Sequence, residues 1–308
     1  MPPLSVSESI SIKKTPKEVF ECLHDFHTWI KWSPWLIAEP QVKISISDDG
    51  QSYQWDGQIV GGGTMNFSKV IPHKKLEVDL IFLKPNKSKA LVTFELQEVE
   101  KETQVTWKMK SSLPWYLFWM SKRLNHFIAN DYKRGLKLLK DFLELGKIHS
   151  RLDFIGVEQL DQVHLVGKRY QSSIGDFKAN IEKNFGSLFE YCTSNCKENI
   201  QHIGYTLYHQ FDFVKDRVDY TVGLSVSEFS KQLSEGYTLQ TIPKLKVYSV
   251  MHIGQYDHLE NAWACVMMHQ NAKNFKPQKK TPGMEIYLDN PSNTPEKDIK
   301  TKISIPAQ

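Results

Sequence analysis

Between residues 154 and 307 one order of elements occurs twice, and this recurrence constrains the fold more than any other feature of the chain. FIGVEQLDQVHLVGKRY (154–170) reads as a strand region, rich in β-branched and aromatic residues. An amphipathic helix over about 174–194 follows, with Phe177, Ile181, Phe185, Leu188 and Phe189 on one face. Two strands come next, GYTLYHQFDF (204–213) and DYTVGLSVS (219–227). The order then recurs as a strand region at 239–254, a helix at 256–271 with Leu259, Trp263, Val266 and Met267 inward, and strands at 283–291 and 300–307. Residues 204–208 (GYTLY) fall on 283–287 (GMEIY), and DYTVGLSV falls on KTKISIPA. A β-α-β-β unit present twice predicts a pseudo-twofold domain with a groove where the two units meet.

The first half follows another plan. SVSESISI (5–12) alternates as a half-buried strand, and Thr15-Pro16 with Glu18 three residues after the cap signals a helix start. That helix carries Val19, Phe20, Leu23 and Phe26 on one face, fades near Trp29 and runs into the aromatic turn WIKWSPW (29–35). From Val42 to Lys110 the text is nearly all strand, punctuated by turn signals such as Asp48-Asp49-Gly50 and Gly61-Gly62-Gly63, which predicts an antiparallel meander. A last helix over 115–145 bears an apolar stripe through Leu117, Met120, Leu124, Phe127, Ile128, Tyr132, Leu136, Leu139 and Leu143, with Gly146 as its C-cap. A cupped sheet around one long helix leaves room for a cavity, whose mouth is expected at 113–120. Trp29, Trp32, Trp35, Trp55 and Trp107 either line that cavity or fill the core. His24 and His27 stand three apart on the first helix, but no third metal ligand accompanies them.

TPKEVFECLHDFHTWIKWSPW (15–35) and the element order through residue 146 resemble the START-like polyketide-cyclase superfamily (SRPBCC), whose helix-grip fold binds lipids, sterols, polyketides and hormones. No matched catalytic set accompanies the resemblance. HIGQYDHLENAW (252–263) and PGMEIYLDNPSNTPEKDIKTKISIPA (282–307) resemble the GyrI-like small-molecule-binding domain, found also as the effector-binding domain of AraC- and MerR-type regulators. This resemblance implies that Glu285 sits in a central groove and meets cationic or polar parts of lipophilic ligands. Glu285 and Tyr287, two apart on a strand, share a face, while Ile286 points the other way. A glutamate among Tyr205, Tyr208, Trp263 and Tyr287 is costly to bury alone, so it takes up a proton or awaits a cation, which aromatic faces also attract. The alternatives are a salt-bridged glutamate on a sheet edge and a Trp263 that belongs to the core. Thr206 holds the symmetric position, so the acid is not duplicated. The same family has a branch that hydrolyses cyclopropane rings with groove glutamates, for which this chain offers Glu285 and, less specifically, Glu260.

Charge narrows the classes further. The net charge is +4, with 21 basic against 17 acidic residues in 1–150 and 18 against 18 in 151–308. Lys133-Arg134 and Lys137 to Lys140 read as a solvated helix face rather than a nucleic-acid stripe. No apolar run approaches the roughly 20 residues of a membrane span. Four cysteines, including the CxxxC pair Cys192 and Cys196, fit free thiols in a reducing compartment. The expectation is therefore an α+β chain, cytoplasmic, of two pocket domains at 1–146 and 152–308. It needs no cofactor or metal and binds, sequesters or senses lipophilic small molecules, cations among them, with any protein partner unidentified. The ligand-binding set is Glu285, Tyr287, Trp263, Tyr205, Tyr208, Trp55 and Trp107. The alternatives are a detoxifying hydrolase with Glu285 as acid/base, and a lipid carrier or cyclase working through the first domain. Limited proteolysis should cut first near 146–152, because each half carries its own apolar stripe and closing strands; a first cut inside either half would contradict the two-domain division.

Overall fold

Thr15 starts the chain's first helix as its chemistry dictates. In the computed structural model, which describes residues 3–112, 119–195, 200–212, 215–227, 232–278 and 281–308, α1 (Pro16–Leu23) opens with a reciprocal cap. The Thr15 hydroxyl accepts from the Glu18 amide, and the Glu18 carboxylate accepts from the Thr15 amide at 2.9 Å. A four-residue α2 (Phe26–Trp29) follows, capped by Asp25, which also takes His27 Nδ1 at 2.8 Å. His24 instead stacks on Phe20, so the two histidines serve different neighbours.

Contact density divides the chain into two units, 1–149 and 150–308. In the first, β1 (Pro3–Ile12) is followed after the helices by β2 (Lys43–Ile46), β3 (Ser52–Asp56), β4 (Gly62–Ile71), β5 (Lys75–Lys84), β6 (Ser88–Val99) and β7 (Glu102–Ser112). They pair in the order β1-β7-β6-β5-β4-β3-β2, each antiparallel to its neighbour, as the turn signals predict. The last helix, α3 (Ser121–Leu145), ends at Gly146 with φ 74°, a left-handed value glycine adopts freely. Leu117 and residues 113–118 of the expected mouth lie outside the described residues.

The aromatic side chains decide what lies between sheet and helix. Trp107 is 1% exposed, stacked on Tyr132 of α3 at 4.1 Å and on Phe94 at 4.9 Å, with Trp32 and Trp35 edge-on at 5.8 Å. Rings cover both of its faces and leave none for a ligand. Trp55 is buried against Tyr53 and Phe82, its ring lying over Gly63, where a Cβ would come within 2.4 Å. The ligand-lining role expected of Trp55 and Trp107 is thus corrected: both are core. Arg134, expected on the solvated face, is also buried and pairs with Asp131 at 2.6 Å.

The second unit contains β8 (Ser150–Leu160), β9 (Val163–Ser172), α4 (Phe177–Asn195), β10 (Ile200–Asp212), β11 (Arg217–Val226), β12 (Thr238–Ile242), β13 (Leu245–Gly254), α5 (Leu259–Asn271), β14 (Gly283–Tyr287) and β15 (Lys300–Pro306). Each stretch read as one strand region is two strands, broken at Asp161-Gln162 and at Pro243-Lys244. The sheet order is β12-β9-β11-β10-β14-β15-β13-β8. Consecutive strands β8 and β9 therefore lie near opposite margins, although Leu160 and Val163 are at most about 11 Å apart along the chain. The sheet must curl until its margins approach. Leu160, Leu165, Tyr205, Leu207, Ile242, Leu245, Met284 and Ile286 form one apolar cluster that includes residues of both margins and of the centre, as the inside of a curl requires. The outside is covered by α4 on β9 and β11, and by α5 on β13 and β15. Phe189 and Met267, expected inward, are exposed. Among the described residues no helix is long and apolar enough to cross a membrane.

Gly135 in the middle of α3 tests the Trp107 packing. Alanine is favoured over glycine in a helix by about 1 kcal/mol, yet a Cβ here would lie 2.7 Å from Trp107 Cζ3 and 3.1 Å from Pro34 Cγ. Both neighbours are rigid rings, and overpacking of this kind costs about 1–3 kcal/mol. Gly135→Ala should lower stability in denaturant titration; an unchanged or raised midpoint would show that Trp107 is not fixed against α3.

Candidate functional site

At the centre of the second sheet β10 and β14 pair antiparallel, with Gly204 opposite Tyr287, Thr206 opposite Glu285 and Tyr208 opposite Gly283. Side chains alternate along a strand, so these six residues share one face, the face under the helices. Tyr205, Leu207, Met284 and Ile286 point into the curl. Tyr205, expected beside Glu285, is therefore corrected to the opposite side of the sheet: it neighbours Thr206, and one step along a strand reverses the face. Glu285 does not stand on a sheet edge either, since β14 lies between β10 and β15.

The two glycines let the helices approach. A Cβ at Gly204 would lie 3.1 Å from the Phe185 ring of α4, and one at Gly283 would lie 3.2 Å from the Trp263 ring of α5 and 2.7 Å from Ile305. One aromatic from each helix thus descends onto the sheet centre. Trp263 meets Tyr208 edge-on at 5.1 Å, and Phe185 meets Tyr287 edge-on at 5.2 Å. Phe177 and Tyr256 extend the wall to either side, 5.6 Å from Tyr208 and 6.0 Å from Tyr287. Trp263, Tyr287, Phe185 and Tyr256 remain partly exposed, so the aromatic cluster over Glu285 reaches the surface.

Glu285, 4% exposed, forms the floor. Trp263 Nε1–H donates to its Oε1 at 2.6 Å, and the Tyr287 hydroxyl donates to Oε2. The Tyr208 hydroxyl is a third donor, and the Thr206 hydroxyl lies 3.2 Å from the Tyr287 oxygen. Burial raises the carboxyl pKa above its ordinary value, and the donors from Tyr287, Trp263 and Tyr208 pull it partly back. Burial first, and then the nearby carboxylate, push Tyr208 and Tyr287 well above their ordinary value, so both stay protonated and able to donate. Among the described residues no lysine, arginine or histidine pairs with Glu285. Glu260, the second acid considered, is exposed on α5. The arrangement is one buried anion held by neutral donors inside aromatic walls, which suits the exchange of those donors for a cation.

Four expected residues, Glu285, Tyr287, Tyr208 and Trp263, come together here. Phe185 and Tyr256 join them without having been singled out; the apolar stripe of α4 contained Phe185, but only as core. Among the described residues no group of three or more histidine, cysteine, aspartate or glutamate side chains is placed to hold a metal.

The family described as GyrI-like small molecule binding domain matches residues 155–308, half of the chain. The chain belongs to this family. Residues 13–115 match a second family, described as activator of Hsp90 ATPase homolog 1-like protein, so an SRPBCC-type domain precedes the GyrI-like one. Among solved structures, the C-terminal domain of EcmrR is 20% identical, aligning over 52% of this chain and 99% of that one with a TM-score of 0.41. An EcmrR–DNA complex is 18% identical over 61% and 68%, TM-score 0.41. The Aha1 dimer from Colwellia psychrerythraea is 21% identical over 47% and 98%, TM-score 0.36. No curated protein sequence matches the chain.

The raised pKa of Glu285 makes the stability of the GyrI-like domain depend on pH. The unfolded chain ionises Glu285 near the ordinary value of 4.5, whereas the folded chain keeps the proton to higher pH. The stabilising contribution is complete below that ordinary value and drains away as pH rises through the folded one. Glu285→Gln abolishes the titration, so its stability relative to the parent should climb as pH rises from about 4 to 8. Thermal unfolding of both proteins across that range checks this, and a flat difference would show that Glu285 titrates normally.

Proposed function

We propose that the chain binds lipophilic cations in the second domain, sequestering or sensing them, with Glu285 as counter-charge and Trp263, Tyr208 and Tyr287 as aromatic walls. The observation that carries this reading is a carboxylate buried to 4% exposure and satisfied by neutral donors alone among the described residues. A buried charge is ordinarily paired. An incoming cation supplies the pair and releases Trp263 and Tyr287, which then offer it their π-faces. The pseudo-twofold duplication is part of the proposal, supported by the matching runs β9-β11-β10 and β13-β15-β14, which meet at the β10–β14 ladder. So is the helix-grip reading of 1–146, supported by a meander whose first strand pairs with its last and by the packing of α3 on β1. The boundaries 1–146 and 152–308, the cytoplasmic setting and the lack of a nucleic-acid surface belong to the same proposal; three buried cysteines that form no disulfide, Cys22, Cys192 and Cys265, support a reducing compartment.

Hydrolysis with Glu285 as acid/base is the rival chemistry. It requires a carboxylate oxygen free to activate water. Here Trp263 engages Oε1 and Tyr287 engages Oε2, which favours binding.

Tetraphenylphosphonium and triphenylphosphine oxide, a cation and a neutral compound of related shape, separate charge from shape. The phosphonium donates no hydrogen bond, so the contact is coulombic, worth up to about 3 kcal/mol at roughly 6 Å and an effective dielectric of about 20, or about ten- to a hundredfold in affinity. Glu285→Gln should weaken the phosphonium by that factor and leave the oxide nearly untouched, whereas Trp263→Ala should weaken both. Equal losses for both probes on Glu285→Gln would make the glutamate structural. A bound cyclopropane compound recovered with the mass of one added water would replace binding by hydrolysis.

A further inference from the structure

Beyond Tyr287 the outer face of the second sheet carries a buried polar group that cation binding leaves unused. The cross-strand row through Tyr287 on β14 continues to Thr301 on β15 and then to His252 on β13. His252 is fully buried, and among the described residues neither of its ring nitrogens has a hydrogen-bonding partner. Burial first, and then His258 beside it, push its pKa down to about 4, so the ring is neutral at physiological pH. A neutral imidazole presents one donor and one acceptor. Leaving both unmet in a sheet–helix layer is destabilising, by about 1–3 kcal/mol for each unmet group. His269 in the same layer shows the contrast: it is also buried, yet Tyr248 lies 2.7 Å and Asn274 3.1 Å from its Nδ1.

Two further features connect His252 with the groove. Tyr256, edge-on to Tyr287 at 6.0 Å, is part of a single 3-10 turn (Tyr256–His258) that ends at His258, the residue beside His252. This turn leaves β13 through Gly254, whose φ of 136° suits glycine alone. The surroundings of Glu285 are also unlike on their two sides. Beyond Tyr208 lie the rings of Phe177 and Phe211, whereas beyond Tyr287 the cross-strand row leads through Thr301 to His252.

We infer that the groove has a second, neutral subsite at His252, which takes a hydroxyl or similar group able both to give and to accept a hydrogen bond, carried at the far end of the cation held by Glu285. This rests on the cation reading of Glu285 and adds the shape of the ligand to it. Glu285 and His252 are two strands apart and offset by two residues, so the two polar ends of the ligand stand roughly 12 Å apart. The ligand is an elongated amphiphile with a polar tail, and the Tyr256 turn lifts to admit that tail.

The test uses the full chain and two probes, (4-biphenylmethyl)trimethylammonium and its 4′-hydroxy analogue, in which two para-linked rings separate nitrogen from oxygen. In calorimetric titration the hydroxyl should tighten binding to the parent by about three- to tenfold, the worth of one buried hydrogen bond. His252→Leu should abolish that preference and keep the affinity for the hydroxyl-free probe, while Glu285→Gln should weaken both probes alike. Unliganded His252→Leu should also melt about 2–4 °C higher, because it removes an unsatisfied polar ring. A parent without hydroxyl preference, a preference that survives in His252→Leu, or a lower melting point for that variant each overturns the subsite and leaves the Glu285 reading standing. Failure of both probes to bind the parent overturns the two together.

Discussion

The ladder between β10 and β14 is the constraint on which the second domain depends. Five residues on each strand join β9-β11-β10 to β14-β15-β13 in one sheet, and their register decides what the joint contains. It sets Thr206 against Glu285 on the outer face and sends Tyr205 and Ile286 inward. A slip of β14 by one residue would turn Glu285 into the apolar curl beside Tyr205 and Leu207 of β10 and carry Tyr287 away from the helices. With the register as it is, the carboxylate faces donors from β14 itself, from β10 and from α5. Burial disfavours its charge and those donors favour it, so a small change in either decides whether it holds a proton, an internal hydrogen bond or a cation.

The two domains use aromatic residues in opposite ways. Trp107 is covered on both faces by Tyr132 and Phe94, and Gly135 removes the one side chain that would hold it off the helix. Such a ring contributes cohesion and has no free face. Trp263 also descends over a glycine, but its N–H is committed to Glu285 while the side chain stays partly exposed. A core tryptophan and a site tryptophan differ in what remains unoccupied, which composition does not reveal.

Much of this was legible in the sequence wherever the information is local. The Thr15-Pro16-Glu18 cap, the meander and the shared face of Glu285 and Tyr287 follow from spacing alone. Even the misplacement of Tyr205 was avoidable: once Thr206 is matched with Glu285, the next residue along must face away. The two breaks inside apparent single strands were harder to see, because Asp161-Gln162 and Pro243-Lys244 are short and the strands on either side pair with distant partners. His252 gave no signal at all. Its neighbours Thr301 and His258 are assembled by the β13–β15 pairing and by the turn before α5, and an isolated histidine in an apolar strand does not announce either.

The exchanged margins of the second sheet bear on how a ligand gets in. β8 precedes β9 in the chain but pairs with β13, and β12 precedes β13 but pairs with β9, so each run of three strands is bordered by a strand that the other run carries. Opening the sheet at the central ladder like a book would tear both borders away at once. The floor of the site is latched, and entry must come through the ceiling. Any message that a bound molecule sends outward would then travel as a tilt of α4 and α5 over a rigid base.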